Sequence, residues 1–128
     1  MISLKRFGRS MKYAFRGIFK VMAREHSFRV QVVAGAIVFI IILFVPLQVW
    51  ERIVLLLLVG AVLVLEMINS IFERLSDGLK PRLNDMVKDV KDMMAGAVLI
   101  TAFVACIVAI MILYPYISIY LQGWHLLG

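Results

Sequence analysis

The sequence predicts an all-α integral membrane protein, with an N-terminal amphipathic interfacial helix followed by three transmembrane helices. Three observations point there. Of the 128 residues, 63% are hydrophobic and mean hydropathy is +0.98, whereas a soluble domain carries about 45–50% apolar residues. Three apolar stretches, starting near Val30, Ile53 and Ala95, are each long enough to cross a bilayer once their flanks are counted. Basic residues crowd the alternate flanks of those stretches. The length suits one domain, 1–128.

Residues 1–24 read as the interfacial helix. Leu4, Phe7, Met11, Phe15, Ile18 and Met22 recur at three- and four-residue intervals, with Lys5, Arg9, Lys12, Arg16 and Lys20 on the other faces. An apolar stripe opposite a Lys/Arg face describes a helix lying in the plane of the membrane surface. Of the 14 basic residues, eight (Lys5, Arg6, Arg9, Lys12, Arg16, Lys20, Arg24 and Arg29) precede position 30, against one acid, Glu25. In so apolar a chain this arm points to anionic lipid headgroups and not to nucleic acid. A charged arm ahead of the first apolar run is not the layout of a cleavable signal, so the spans are expected to direct insertion.

The first span covers about 30–50, with Pro46 and Trp50 at its far end and Trp50 as an interfacial anchor. The second covers about 53–77. Its unbroken apolar run, Ile53 to Leu65, is too short to cross, so the helix must continue through Met67, Ile68, Ile71 and Phe72. Glu66 and Asn69 are thereby carried into, or to the edge of, the hydrocarbon. Gly78 and Pro81 mark a turn. The third span covers about 85–114, beginning near Asn84 or Asp85 and ending in an aromatic belt of Tyr114, Tyr116, Tyr120 and Trp124 around Pro115. The single cysteine, Cys106, lies in an apolar run and reads as a packing residue.

Topology follows from the basic residues in the short flanks. The N-terminal arm has eight and the 74–92 connector has five, while the 46–52 connector has one and the tail after Tyr114 has none. The positive-inside rule puts the N-terminus and the 74–92 connector in the cytoplasm and the C-terminus outside.

Glu66, Asn69, Glu73 and Asp77 are three, four and four residues apart. On a helix they fall within an arc of roughly 80° over about 16 Å of rise. Ionisable groups at membrane depth are costly and mark interiors or functional cavities. Glu25 lies just before the first span, and Lys91 and Asp92 just before the third, so all share the cytoplasmic level. Carboxylates with few nitrogen or sulfur ligands suit a hard cation such as Mg²⁺, which shares phosphate oxygens. A neighbouring lysine would neutralise charge that develops in phosphoryl transfer. A glutamate in a low-dielectric site is pushed toward a raised pKa, which equips it to take a proton from an alcohol. His26 and His125 lie on opposite sides of the membrane, which argues against a zinc site. No GxxxxGK[ST] or GxGxxG loop is present. On spacing and depth alone, site chemistry competes with two bland readings. The stripe would then be structural glue between helices, or a proton or ion pathway in a non-enzymatic oligomeric bundle.

Three blocks of residues resemble the prokaryotic diacylglycerol kinase family, which includes undecaprenol kinases. They are Arg24-Glu25-His26-Ser27-Phe28-Arg29, then Glu66-Met67-Ile68-Asn69-Ser70-Ile71-Phe72-Glu73 with Asp77, and Lys91-Asp92-Met93-Met94-Ala95-Gly96-Ala97-Val98-Leu99. Their order and intervals agree too. The resemblance implies a homotrimeric three-span lipid kinase of the bacterial inner membrane, using ATP and Mg²⁺ to phosphorylate a membrane lipid alcohol. Carried over position by position, Glu66 would be the general base, and Glu25 and Glu73 would hold Mg²⁺. Asn69 would support that cluster, Lys91 would contact the ATP phosphates, and Asp77 and Asp92 would shape the nucleotide site. Ile71-Phe72 replaces a more usual small-residue pair, and Asn84 stands where some members carry histidine. The Arg24–Arg29 block and the Ala/Gly-rich start of the third span look more like the undecaprenol kinase branch than the diacylglycerol kinases.

Overall fold

The computed structural model describes residues 3–79 and 84–128. Its described part is built from four helices: α1 (Leu4–Arg24), α2 (His26–Phe44), α3 (Val49–Leu79) and α4 (Asn84–Leu127). The last three are long and apolar enough to cross a membrane. The turn expected at Pro81 lies outside the described residues, as does the Asn84 side chain.

Ser3 caps α1, its hydroxyl accepting the Arg6 N–H at 3.4 Å. No α1 residue is buried, and Leu4, Phe7, Met11, Phe15 and Ile18 are all exposed. The structure thus forms the amphipathic helix that the periodicity predicts, with most of its apolar face uncovered by the rest of the chain. Glu25 breaks the helix in an extended conformation (φ −105°, ψ 112°). It is the only residue between α1 and α2. The Arg29 guanidinium reaches back to the Met22 and Ala23 carbonyls at 3.4 and 3.2 Å, satisfying acceptors that the end of α1 leaves open. The elbow is thus held from both sides, and a carboxylate sits at its apex.

In α2 the buried residues Phe28, Gly35 and Ile42 are seven apart, one seam along the helix. Gly35 permits close packing on α3, since a Cβ there would lie 2.9 Å from Val59 Cγ1. After the C-terminal end of α2, Leu47 N–H bonds to Val45 O at 2.7 Å around Pro46, a three-residue turn. Trp50, read from sequence as the end of the first span, belongs to the first turn of α3. The apolar core is small and sits near this end: Ile42, Leu47, Leu55 and Ile112, with Leu55 1% exposed.

α3 is the central helix, packed against both α2 and α4. At 44 residues, α4 is about 66 Å long, twice the hydrocarbon thickness, so it extends beyond the membrane. It also runs through Pro115 to Leu127, where the sequence reading ended the span. Pro115 removes one backbone donor, a loss that a helix tolerates when neighbours hold the segment beyond it. Here Tyr116 does so by donating its hydroxyl to Glu51 of α3. Cys106, expected to be packed, is exposed on the single chain.

Candidate active site

The stripe forms on one face of α3, as its spacing requires, and its members differ in depth. Glu66 is 5% exposed, Asn69 and Glu73 are half-buried, and Asp77 is exposed. The gradient runs from the apolar middle of α3 to its C-terminal end, so exposure rises along the face.

The two ends of the stripe meet different neighbours. Ser27, in the first turn of α2, donates its hydroxyl to Glu66 Oε2 at 3.2 Å. That contact ties the deepest carboxylate to the elbow where Glu25 sits half-buried. At the other end, Lys91 Nζ of α4 lies 3.9 Å from Asp77 Oδ1. A long contact with a side chain 66% exposed contributes little stability, but it holds an ammonium at the water end of the face. Asp92, next in sequence, is exposed and meets no stripe residue through a hydrogen bond or ion pair.

The structure therefore joins Glu66 to the start of α2 and Asp77 to the start of α4. It does not gather the carboxylates into one nest: among the described residues, no three His, Cys, Asp or Glu side chains are grouped to hold a metal. The donors present at the elbow and on α3 are oxygen donors. They fit a hard ion that binds through one or two carboxylates and completes its shell with water and phosphate oxygens.

Sequence reasoning singled out seven residues and overlooked Ser27 as a partner of Glu66, although Ser27 lies inside the Arg24–Arg29 block. The signal was faint. A serine in the first turn of a helix is usually read as part of the cap, and a contact across 39 positions has no local signature.

With this geometry in view, comparison with known proteins is informative. The family model for prokaryotic diacylglycerol kinase matches residues 12–113. An undecaprenol kinase of Bacillus subtilis is 32% identical over 112 residues, covering 88% of this chain and 91% of that protein. A diacylglycerol kinase of a Synechocystis species is 31% identical over 107 residues, 83% of this chain and 61% of that protein. The matched region takes in the elbow, the acidic face of α3 and the Lys91 end of α4, and the chain belongs to the prokaryotic diacylglycerol kinase family.

Proposed function

We propose that this protein transfers the γ-phosphoryl group of ATP to the hydroxyl of a membrane lipid alcohol, undecaprenol in preference to diacylglycerol, with Glu66 as the base. That it is a lipid kinase follows from its family. The observation that carries the mechanism is a carboxylate 5% exposed at the lipid end of a polar face whose water end holds a lysine. The preference for undecaprenol draws on the B. subtilis relative, which is matched over nearly its whole length.

The lipid hydroxyl oxygen attacks the γ-phosphorus while its proton passes to the Glu66 carboxylate. The bond between the γ-phosphorus and the β,γ-bridging oxygen breaks, and ADP leaves with the electron pair. Burial keeps water from competing for Glu66 and leaves the base able to serve an alcohol. Ser27 orients that carboxylate and is a positioning residue. Lys91 offsets phosphate charge at the cytoplasmic end, with Asp77 and Asp92 shaping the nucleotide site. Glu25 and Glu73, supported by Asn69, would hold Mg²⁺. A bound Mg²⁺ neutralises phosphate oxygens in such transfers.

Two features support a homotrimer. Very little of α4 is buried within one chain, and a thin three-span bundle leaves the α3 face partly open until a neighbour covers it. Charge counting supports a cytoplasmic N-terminus and site.

The test is direct. Protein purified in micelles is given γ-³²P-ATP with undecaprenol, diacylglycerol or an extract of membrane lipids. Labelled undecaprenyl phosphate is expected from wild type and not from Glu66→Gln. If no lipid alcohol is labelled and the two proteins behave alike, the kinase reading fails. ATP-independent ion flux in liposomes, abolished by Glu66→Gln, would instead favour a conducting bundle.

A further inference from the structure

The last part of α4 carries an apolar face that the rest of the chain leaves open. The Tyr116 hydroxyl donates to Glu51 in the first turn of α3, which marks the level of α4 at which the neighbouring helix begins. From Tyr116, α4 runs on to Leu127, a projection of about 17 Å past that level. Ile117, Tyr120, Trp124 and Leu127 in this segment are between 54% and 91% exposed. The segment also lies past residue 113, where the match to the family model ends, so the family match does not account for it.

The spacing of the face points to its partner. Leu113, Ile117, Tyr120, Trp124 and Leu127 are four, three, four and three residues apart, the alternation of the a and d positions of a coiled coil. With Leu121 they fall within an arc of roughly 120°. Ser118, Gln122 and His125 form a separate polar stripe, so the segment is amphipathic. Lipid alone is a poor cover for it. Met93 to Leu127 holds no Asp, Glu, Lys or Arg and is about 52 Å long, against about 30 Å of hydrocarbon. Fitting all of it into lipid needs a tilt of about 55°, beyond the roughly 40° that spanning helices reach. The same lack of charge argues against a basic helix lying on a membrane surface. Copies of one chain insert the same way, so their α4 helices run parallel and in register, as a shared a/d seam requires. We propose that the face of α4 from Leu113 to Leu127 pairs with the same face of a second copy of this chain, as a short parallel coiled coil beyond the α2–α3 turn. The contact is separate from the acidic face of α3 and stands whether or not the kinase reading does.

The test uses the full chain in vesicles of dioleoylphosphatidylcholine, diluted in lipid so that chance encounters are rare. In a Cys106→Ser background, a single cysteine is introduced on the seam by Ile117→Cys or Trp124→Cys. The controls are Ile119→Cys and Leu126→Cys, apolar positions on the other side of the helix. All four positions are exposed, so each substitution leaves the packing within the chain intact. Under mild oxidation the seam cysteines should form inter-chain disulfides about tenfold faster than the controls, because only there do facing Cα atoms come within disulfide reach. Equal crosslinking at seam and control positions, or none at either, overturns the proposal and leaves the segment to lipid or to a different protein. A second comparison follows crosslinking through Leu127→Cys. The pair Ile117→Asn/Trp124→Asn should abolish it, and the pair Ile119→Asn/Leu126→Asn should leave it near the parent rate. If the two pairs behave alike, the face is not a seam and the proposal falls. Neither measurement requires turnover, so a protein that labels no lipid alcohol would sink the kinase reading without touching this one.

Discussion

Two glutamates on α3 are buried to the same degree and held differently. Glu51, in the first turn of α3, is 6% exposed, and Glu66, past the middle of the helix, is 5% exposed. Glu51 accepts the Gln48 backbone N–H at 3.0 Å and the Tyr116 hydroxyl. The first contact is half of a capping box, in which the third helical residue reaches back to the residue at the cap. The second joins α3 to the part of α4 beyond Pro115. Glu66 accepts one side-chain hydrogen bond, from Ser27, and begins a row of polar groups that opens toward water. A carboxylate offers about four acceptor sites. Glu51 spends its capacity on the fold, at a helix start and a helix crossing. Glu66 accepts from one donor, and under the proposed mechanism its remaining capacity serves a proton or a substrate. Burial alone does not separate a structural acid from a reactive one; the count and origin of its donors does.

Exchanging the two roles by mutation is the sharpest way to break this contrast. Glu66→Gln keeps shape and hydrogen-bonding capacity but removes the base, so kcat should fall by about 10²–10⁴ with the melting temperature in detergent unchanged. A variant that turns over within a few-fold of wild type would remove Glu66 from the chemistry.

At the other end, Glu51→Ala orphans the Gln48 N–H and the Tyr116 hydroxyl, at a cost of about 1–3 kcal/mol. It should lower the melting temperature while kcat below the transition stays near wild type. Unchanged thermal stability would show that the outer acid is not structural.

Single hydrogen bonds give a finer version of the comparison. Ser27→Ala and Tyr116→Phe each remove one donor, worth about 0.5–1.5 kcal/mol. The two losses should appear in different places. For Ser27→Ala the effect is up to about tenfold in kcat with KM for ATP unchanged; for Tyr116→Phe it is a small drop in melting temperature with kcat retained. Reversal of those readouts would collapse the distinction.

The smallest stability effect belongs to Asp77→Asn. The pair with Lys91 spans 3.9 Å between partly exposed side chains, so stability should move by no more than about 1 kcal/mol. The change to expect is in KM for ATP, measured at saturating lipid.

Much of this was legible in the amino-acid sequence because membrane constraints are local. Hydropathy located the spans without tertiary information. The short apolar run from Ile53 to Leu65 required the helix to continue past Glu66 and Asn69, as α3 does, and helical spacing put Glu66, Asn69, Glu73 and Asp77 on one face. The amphipathic first helix, breaking at Arg24, was readable for the same reason. Residue-level roles at the site were suggested by the family resemblance, since no period or propensity encodes them.

Other features came only with the tertiary structure. Pro115 argued locally for a helix end, yet α4 continues to Leu127 with Tyr116 docked on a residue 65 positions away. Glu51, within the 46–52 connector of the sequence reading, is a buried residue that caps the start of α3. Ser27 gained its partner only once α2 and α3 were placed beside one another. By itself the sequence determined which segments are long and apolar enough to cross a membrane and which residues share a helix face, because both follow from hydrophobic transfer and a fixed rotation per residue. The tertiary structure decided which donors reach each buried acid, Ser27 at Glu66 and Tyr116 at Glu51, because hydrogen bonds between helices depend on distances that no single helix contains.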